Sequence, residues 1–128
     1  MQKNKCLKIY VAGPYTTNDE AQIDLNVRRT IDIGLALWKK GHFPYIPHLT
    51  HFVDLRARET GVKMKWEDYI EWDRAWLELC DALLFIGSSK GANIELEYAK
   101  KLGKTIYYDV RSIPSVTREP KEIAHTCQ

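Results

Sequence analysis

Short apolar runs alternate with helical patterns along most of this chain, in the order strand, helix, strand, helix, strand, helix, strand. The strand-like runs cover 7–12, 42–47, 81–86 and 104–108, and the helical patterns cover 18–40, 66–80 and 92–102. In this order successive strands run parallel and the helices between them cover the sheet. The pattern predicts an α/β fold: a doubly wound, flavodoxin- or Rossmann-like parallel sheet of four to five strands with helices on both faces.

The 128 residues suffice for one domain, which we expect to have its core at about 7–109. Asn18 or Asp19 is the candidate N-cap of the first helix. The two prolines of 42–47 place that strand at a sheet end or edge. We expect the charged stretch 48–65 to form a loop with a helical turn or two. We expect 110–128 to form a loose tail with one short helix at most.

Composition narrows the class of protein. Nineteen basic residues against seventeen acidic ones give a net charge of +2, and they are scattered, so we expect no nucleic-acid partner. The apolar runs are strand-sized and the start lacks the apolar region of a signal peptide, which predicts no membrane partner. Cys6, Cys80 and Cys127 match neither a disulfide framework nor a zinc site. We therefore expect a cytoplasmic protein.

Asp73 is the one charged residue in an apolar helical stripe. The stripe is formed by Trp66, Tyr69, Ile70, Asp73, Trp76, Leu77 and Cys80. Burying a carboxylate there costs free energy unless it is paired or its pKa rises, so the position predicts a functional aspartate. The alternative is a structural aspartate paired with Arg74 or another arginine.

Glu95 and Glu97 lie on one helix and must point in different directions. Glu97 shares its face with lysines and is expected in solvent, whereas Glu95 shares its face with Ala92 and Ala99 and is expected to face the sheet. Because Glu95 lies near the helix N-terminus, we expect its carboxylate to stay ionised and aimed at the strand ends. The alternative is a plain partner of the helix dipole.

Ligands of such sheets bind beyond the carboxyl ends of the strands, which here selects 13–17, 47–54 and 87–95. The Gly- and Ser-rich start of the last segment can present N–H groups and hydroxyls to a phosphate, although it matches neither a P-loop nor a dinucleotide motif. His48, His51 and Asp54 have spacing that would allow metal binding. A polar loop is the more common origin of such spacing, and we expect no metal.

Three motifs in order carry a family resemblance. Residues 8–14 read Lys-Ile-Tyr-Val-Ala-Gly-Pro, Asp73 stands eight residues before Asp81, and residues 91–99 read Gly-Ala-Asn-Ile-Glu-Leu-Glu-Tyr-Ala. With these motifs the chain resembles the nucleoside 2-deoxyribosyltransferase superfamily, which includes the 2'-deoxynucleoside 5'-monophosphate N-hydrolases. The resemblance spans residues 8–108.

The resemblance implies cleavage of the bond between sugar C1' and a nucleobase, with no cofactor. By position, Glu95 corresponds to the nucleophile, Tyr10 to the tyrosine that orients it, and Asp73 to the carboxylate that protonates or holds the departing base. Two carboxylates fit a retaining displacement. We expect burial to raise the pKa of Asp73 while the helix N-terminus keeps the pKa of Glu95 low.

The resemblance leaves the substrate subclass open. At the position of Ser89 the hydrolases have a serine that contacts the 5'-phosphate, whereas the transferases have an aspartate. Segment 13–17, however, lacks the serine and the arginine with which the hydrolases bind the same phosphate. Tyr45 or His48 would stack on the base. The predicted substrate-binding residues are Gly13, Thr16, His48, Ser89, Gly91 and Asn93.

The implied ligand is a small-molecule nucleoside or nucleotide, and the resemblance implies a homodimer or a higher homo-oligomer. A non-catalytic nucleotide-binding or sensing module of the same fold is the alternative function. Flavodoxin-like FMN binding is a weaker one, since the loop after the first strand lacks a full phosphate-cradling run.

Overall fold

The computed structural model describes residues 5–15, 17 and 19–118. Four strands are present: β1 Lys8–Ala12, β2 Phe43–Tyr45, β3 Ala82–Phe85 and β4 Thr105–Tyr107. The helices are α1 Glu20–Lys39, α2 Thr50–Thr60, α3 Trp66–Leu77 and α4 Lys90–Lys101, with 3-10 turns at Pro47–Leu49 and Val110–Ser112. The predicted ligand residue Thr16, the alternative cap Asn18, Cys127 and the end of the predicted tail lie outside the described residues.

The four strands form one parallel sheet in the order β2-β1-β3-β4. Tyr10 pairs with Tyr45 on one side and with Leu83 on the other, so β1 is a central strand. Pro44 lies in β2 at the sheet edge, where its missing N–H costs no ladder bond. The predicted α/β fold with an all-parallel sheet is confirmed, and the proline-containing strand is an edge strand as predicted.

Alternation along β1 sends successive side chains to opposite faces of the sheet. Tyr10 and Ala12 pack with Leu77 of α3 and Ala99 of α4 on one face. On the other face Ile9 and Val11 pack against Leu37 of α1 and against Ile113. Helices therefore cover both faces, as predicted, and β1 is buried on both sides.

The ends of α1 follow from local chemistry. Asp19 is the N-cap, and its side chain accepts a hydrogen bond from the Ala21 N–H at 3.0 Å. At the other end Gly41 has φ +97, a conformation that L side chains rarely adopt. An added Cβ at Gly41 would also lie 2.1 Å from the Val116 carbonyl oxygen, so a glycine is required there.

Two predictions about connecting segments are wrong. The segment predicted as a loop at 48–65 contains the eleven-residue helix α2, which buries only Ala57 and therefore shows little apolar periodicity. Residues 110–118 are not loose, because Ile113 is buried at 1% exposure and the Val116 N–H donates to the Lys40 carbonyl at 2.7 Å. Within the described residues, no helix has both the length and the apolar character needed to cross a bilayer.

Candidate active site

A cavity of about 720 Å³ lies at the carboxyl ends of β1 and β2, where α2, α3 and the N-terminus of α4 converge. Its volume falls in the range typical of small-molecule sites. Six predicted site residues line it: Gly13, His48, Asp73, Ser89, Gly91 and Glu95. Tyr10 lies below the cavity, fully buried in β1, whereas Asn93 is exposed and is not part of the lining.

Glu95 is held by the buried strand β1. The Glu95 side chain is 5% exposed, and the Tyr10 hydroxyl donates a hydrogen bond to its Oε2. Burial raises the pKa of Glu95 to about 8, the hydrogen bond from Tyr10 opposes this rise, and the charge of Asp73 adds to it. The expectation that the helix N-terminus keeps this pKa low is wrong. Glu95 is the sixth residue of α4, beyond the first turn in which the dipole acts.

Asp73 is a second buried carboxylate in the same cavity. It is 7% exposed, and its Oδ1 has no hydrogen-bond partner within the described part of the chain. Burial raises its pKa to about 7, and the Tyr45 hydroxyl opposes the rise. The raised pKa is as predicted. The alternative pairing with Arg74 is wrong, because that guanidinium lies 4.9 Å from the ring centroid of Tyr98.

The pKa values of the two carboxylates are not separated in the predicted way. Both pKa values are raised, that of Asp73 to about 7 and that of Glu95 to about 8. The charge of Asp73 adds to the rise in the pKa of Glu95, so the two ionisations are linked near neutral pH, and Asp73, which has the lower pKa, ionises first. A pair of this kind passes through a state with one proton and one charge, which can serve as acid and nucleophile together.

A stack of aromatic rings supports the hydroxyl that binds Glu95. The rings of Tyr10 and Tyr45 are 5.3 Å apart, and those of Tyr45 and Trp76 are 5.9 Å apart. The stack fixes the orientation of Tyr10 and therefore of the Glu95 carboxylate. Tyr45, one of the two predicted partners of the base, is engaged in this stack and does not line the cavity.

His48 is buried at the cavity wall. Its Nε2–H donates to the carbonyl oxygens of Gly13 at 3.1 Å and Pro14 at 2.9 Å. Burial lowers the pKa of His48, so the ring is neutral and its Nδ1 is an acceptor. That Nδ1 is buried without a partner in the part of the chain that the structure describes.

The first turn of α4 forms the opposite wall. Ser89 caps the helix by accepting a hydrogen bond from the Ala92 N–H at 3.1 Å, which leaves its hydroxyl proton available. The Lys90 ammonium lies 4.7 Å from the centroid of the Trp66 ring. Asn93 is held away from the cavity, since its Oδ1 accepts from the Ser88 hydroxyl at 3.1 Å.

Sequence reasoning missed a polar group on the α2 side of the cavity. The Tyr69 hydroxyl donates to Asp54 Oδ1 at 2.9 Å, and Arg58 contacts Asp54 Oδ2 at 2.8 Å. Asp54 and Arg58 are four residues apart, a helical spacing that would have identified the pair if 48–65 had been read as a helix. His51, whose spacing from Asp54 would allow metal binding, is instead hydrogen-bonded to the Tyr15 hydroxyl at 2.9 Å. Among the described residues no group of three His, Cys, Asp or Glu side chains could hold a metal ion.

Comparison with known proteins gives a family. Residues 7–108 match the profile of a family described as a domain of unknown function, DUF4406. No curated protein matches the chain. The matched segment runs from just before β1 to just beyond β4 and includes Tyr10, Asp73 and Glu95. The chain therefore belongs to the DUF4406 family.

Proposed function

We propose that the protein cleaves the N-glycosidic bond of a (deoxy)nucleoside or its 5'-monophosphate, with Glu95 as the nucleophile and with base transfer or hydrolysis as the outcome. One observation carries the proposal. A buried glutamate, oriented by a buried tyrosine, lines the same cavity as a buried aspartate, one oxygen of which has no partner among the residues that the structure describes. Such a pair supports displacement at a sugar carbon, and the family resemblance of the three motifs points to the same bond.

The first step forms a glycosyl ester. The reactive form is the one-proton state in which Glu95 is ionised and Asp73 carries the proton; because the pKa of Glu95 is about 8 and that of Asp73 about 7, it makes up roughly a tenth of the one-proton pair. In this form a Glu95 oxygen attacks C1', and the electron pair of the C1'–N bond leaves with the base. Asp73, in its protonated form, transfers its proton to the base nitrogen, which makes the base a better leaving group. Tyr10 is a positioning residue, because its hydroxyl donates to Glu95 Oε2 and not to the substrate.

The second step releases the sugar. Water or a second base attacks C1', and the electron pair of the ester bond returns to Glu95. Asp73, now ionised, accepts the proton of the incoming nucleophile. Water gives hydrolysis and a base gives transfer, so exclusion of water from the cavity decides the product.

The α4 wall supports a phosphorylated substrate. Ser89, Lys90 and the residues that follow them at the N-terminus of α4 line one side of the cavity. A helix N-terminus with a nearby cation favours an anion such as a 5'-phosphate. Because Glu95 is on the same helix, a phosphate held here would place the sugar near its nucleophile.

The homodimer or higher homo-oligomer and the cytoplasmic location implied at the sequence level belong to this proposal. Trp72, Trp76 and Leu79 are exposed large apolar residues and are candidate contacts between copies. Light scattering of the purified chain measures the mass directly. A monomer at all accessible concentrations would exclude the oligomer without affecting the proposed chemistry.

The reaction is tested with a panel of deoxynucleosides and their 5'-monophosphates, each with and without a second free base, analysed by chromatography. We expect either free base from monophosphates or exchange of bases, and neither product with the Glu95→Gln variant. The matched control is Glu97→Gln on the same helix, whose side chain is 69% exposed and pairs with Lys100. Tight binding of a nucleotide without turnover would favour the sensing module instead.

A further inference from the structure

The α2 side of the cavity contains a polar group that the proposed chemistry does not use. Asp54 is the centre of this group, since one of its oxygens accepts from the Tyr69 hydroxyl and the other pairs with Arg58. Its side chain is only 19% exposed, whereas that of Arg58 is 75% exposed. All three residues line the cavity, so a carboxylate is held rigidly at its wall.

The arrangement of α3 separates this group from the α4 wall. On a helical wheel Tyr69 and Ile70 fall on either side of Asp73. Ile70 faces α4, because its Cδ1 would lie 3.8 Å from a Cβ added at Gly91. Tyr69 faces α2, where it bonds to Asp54. Asp73 therefore lies between a wall suited to an anion and a wall that carries Asp54.

We infer that Asp54, with Arg58, binds the edge of the departing nucleobase and that the substrate base has an N–H donor on that edge. This inference rests on the proposed function, in which Asp73 meets the leaving base. If the phosphate and sugar lie toward α4, the base must extend past Asp73 toward α2. On that side the carboxylate of Asp54 is held in place at the cavity wall by Tyr69 and Arg58.

The chemistry of the pair defines what it can recognise. A carboxylate only accepts hydrogen bonds and a guanidinium only donates them. Among the described residues each Asp54 oxygen has one partner, which leaves a lone pair for a ligand. The pair thus fits an edge with a donor beside an acceptor, such as the amino group and ring nitrogen of adenine or the N–H and carbonyl of hypoxanthine. A base whose donor is blocked by methylation leaves the carboxylate unpaired.

The test measures binding and not turnover, so that it is independent of the proposed chemistry. The Glu95→Gln protein is titrated calorimetrically with 2'-deoxyadenosine 5'-monophosphate and its N6,N6-dimethyl analogue, and with 2'-deoxyinosine 5'-monophosphate and its 1-methyl analogue. A hydrogen bond to a charged group gives about ten-fold discrimination or more. We expect at least one parent nucleotide to bind about ten-fold tighter than its methylated analogue.

A second variant separates a lost hydrogen bond from a steric clash. In Asp54→Leu the affinity ratio between parent and analogue is expected to fall to about one, because no carboxylate remains to be satisfied. If a steric clash with the methyl group caused the discrimination, the affinity ratio would stay unchanged in that variant. The matched control is Glu59→Leu, which removes an exposed ion pair with Arg56 from the same helix and should leave the ratio unchanged. If Asp54→Leu does not fold, Asp54→Asn keeps the size of the side chain and should reduce the ratio several-fold.

The outcomes separate the two proposals. Discrimination that disappears in the Asp54 variant supports the inference even if the wild-type protein proves to bind without turnover. Turnover with equal affinity for parent and methylated nucleotides, or a ratio that the Asp54 variants leave unchanged, overturns the inference and leaves the proposed reaction standing. Failure to bind any of these nucleotides overturns it as well.

Discussion

Two buried histidines flank β2, and their hydrogen bonds differ. His42 precedes the strand: its Nδ1 accepts from the Leu7 N–H at 3.0 Å, and its Nε2 donates to the Pro114 carbonyl at 2.7 Å. His48 follows the strand, and its Nδ1 has no partner in the described residues. An unpaired buried polar atom costs free energy, so a fold keeps one mainly where a ligand can satisfy it.

The same contrast holds for two aspartates at opposite ends of the strands. At the amino ends of the strands, Asp81 accepts a hydrogen bond from the Lys8 N–H at 2.8 Å and pairs with Lys5 at 3.7 Å. At the carboxyl ends of the strands, Asp73 has one oxygen without a partner in the described part of the chain, and its pKa is raised to about 7. Within the described residues, the polar groups at the amino ends of the strands are thus satisfied by hydrogen bonds, whereas those at the carboxyl ends are not all satisfied, and this difference supports the proposed location of the site.

The largest predicted effect concerns Asp73. Asp73→Asn removes the proton donor for the leaving base, so we expect kcat to fall by about 10²–10⁴-fold with a small change in KM. The matched control is Asp81→Asn, at the opposite edge of the sheet, which should leave kcat within a few-fold of the wild-type value. Measurement of kcat and KM on the best substrate checks both.

A substrate that needs no proton sharpens this test. The base of 7-methyl-2'-deoxyguanosine leaves as a neutral molecule from a cationic nucleoside, so its departure requires no acid. Asp73→Asn should therefore lose much less activity on this nucleoside. Equal losses on both substrates would contradict the role of Asp73 as the acid.

The two histidines should differ in what they stabilise. His42→Ala breaks two buried hydrogen bonds and opens a cavity, so we expect a loss of about 3 kcal/mol in the free energy of unfolding. His48→Ala also opens a cavity and breaks the hydrogen bond from Nε2–H to the Gly13 and Pro14 carbonyls, but within the described residues it loses no bond at Nδ1, so we expect a smaller cost of about 2 kcal/mol and mainly a rise in KM. Urea unfolding and steady-state kinetics provide the two numbers. Equal stability losses would break the comparison.

The raised pKa of Glu95 predicts a pH-dependent stability. The folded state holds the Glu95 proton up to about pH 8, while an unfolded glutamate releases it near pH 4.5. Unfolding thus releases a proton in this interval, and the stability of the fold falls as pH rises through it. Glu95→Gln removes this slope and still accepts from Tyr10. It should match the wild type near pH 4.5 and exceed it by about 4–5 kcal/mol at pH 8.5, the free energy that corresponds to a pKa of about 8 in the folded state against 4.5 in the unfolded state. Thermal unfolding at both pH values measures the difference.

The smallest effect on stability is expected for a substitution near the amino ends of the strands. Arg118 lies 3.6 Å from the centroid of Trp38, and its guanidinium donates to the Trp38 carbonyl at 3.2 Å. Arg118→Ala should cost about 0.5–1 kcal/mol of stability and leave kcat and KM unchanged. A change in turnover would show that the C-terminal segment contributes to the site.

The fold and the pair of carboxylates could be predicted from the sequence because both depend on local periodicity. Strands such as 81–86 are continuous apolar runs, and Asp73 interrupts an apolar helical stripe. The prediction failed where structure depends on polar contacts between distant segments. Helix α2 buries one residue, and the segment 110–118 is held by Lys40 and His42, which no apolar pattern reveals.

The pKa of Glu95 shows the same limit. Its position near a helix N-terminus predicted an ionised group, but the burial that raises its pKa comes from the packing of α4 on β1 and α3. Likewise the hydrogen bond from Tyr69 to Asp54 joins two helices, so that the spacing of Asp54 and Arg58 within α2 does not reveal it. Tertiary packing, which sequence spacing does not encode, decides both.

The most direct test of the account is the turnover of Glu95→Gln at about pH 7.5, between the pKa values of Asp73 and Glu95, where the pair carries one proton and the form with an ionised Glu95 is populated. The substitution keeps the size of the side chain and the acceptor for Tyr10, and it removes only the nucleophilic oxygen anion. The account predicts that kcat on the best nucleoside or nucleotide falls by at least about 10³-fold while the nucleotide still binds. Turnover within ten-fold of the wild-type value would contradict Glu95 as the nucleophile.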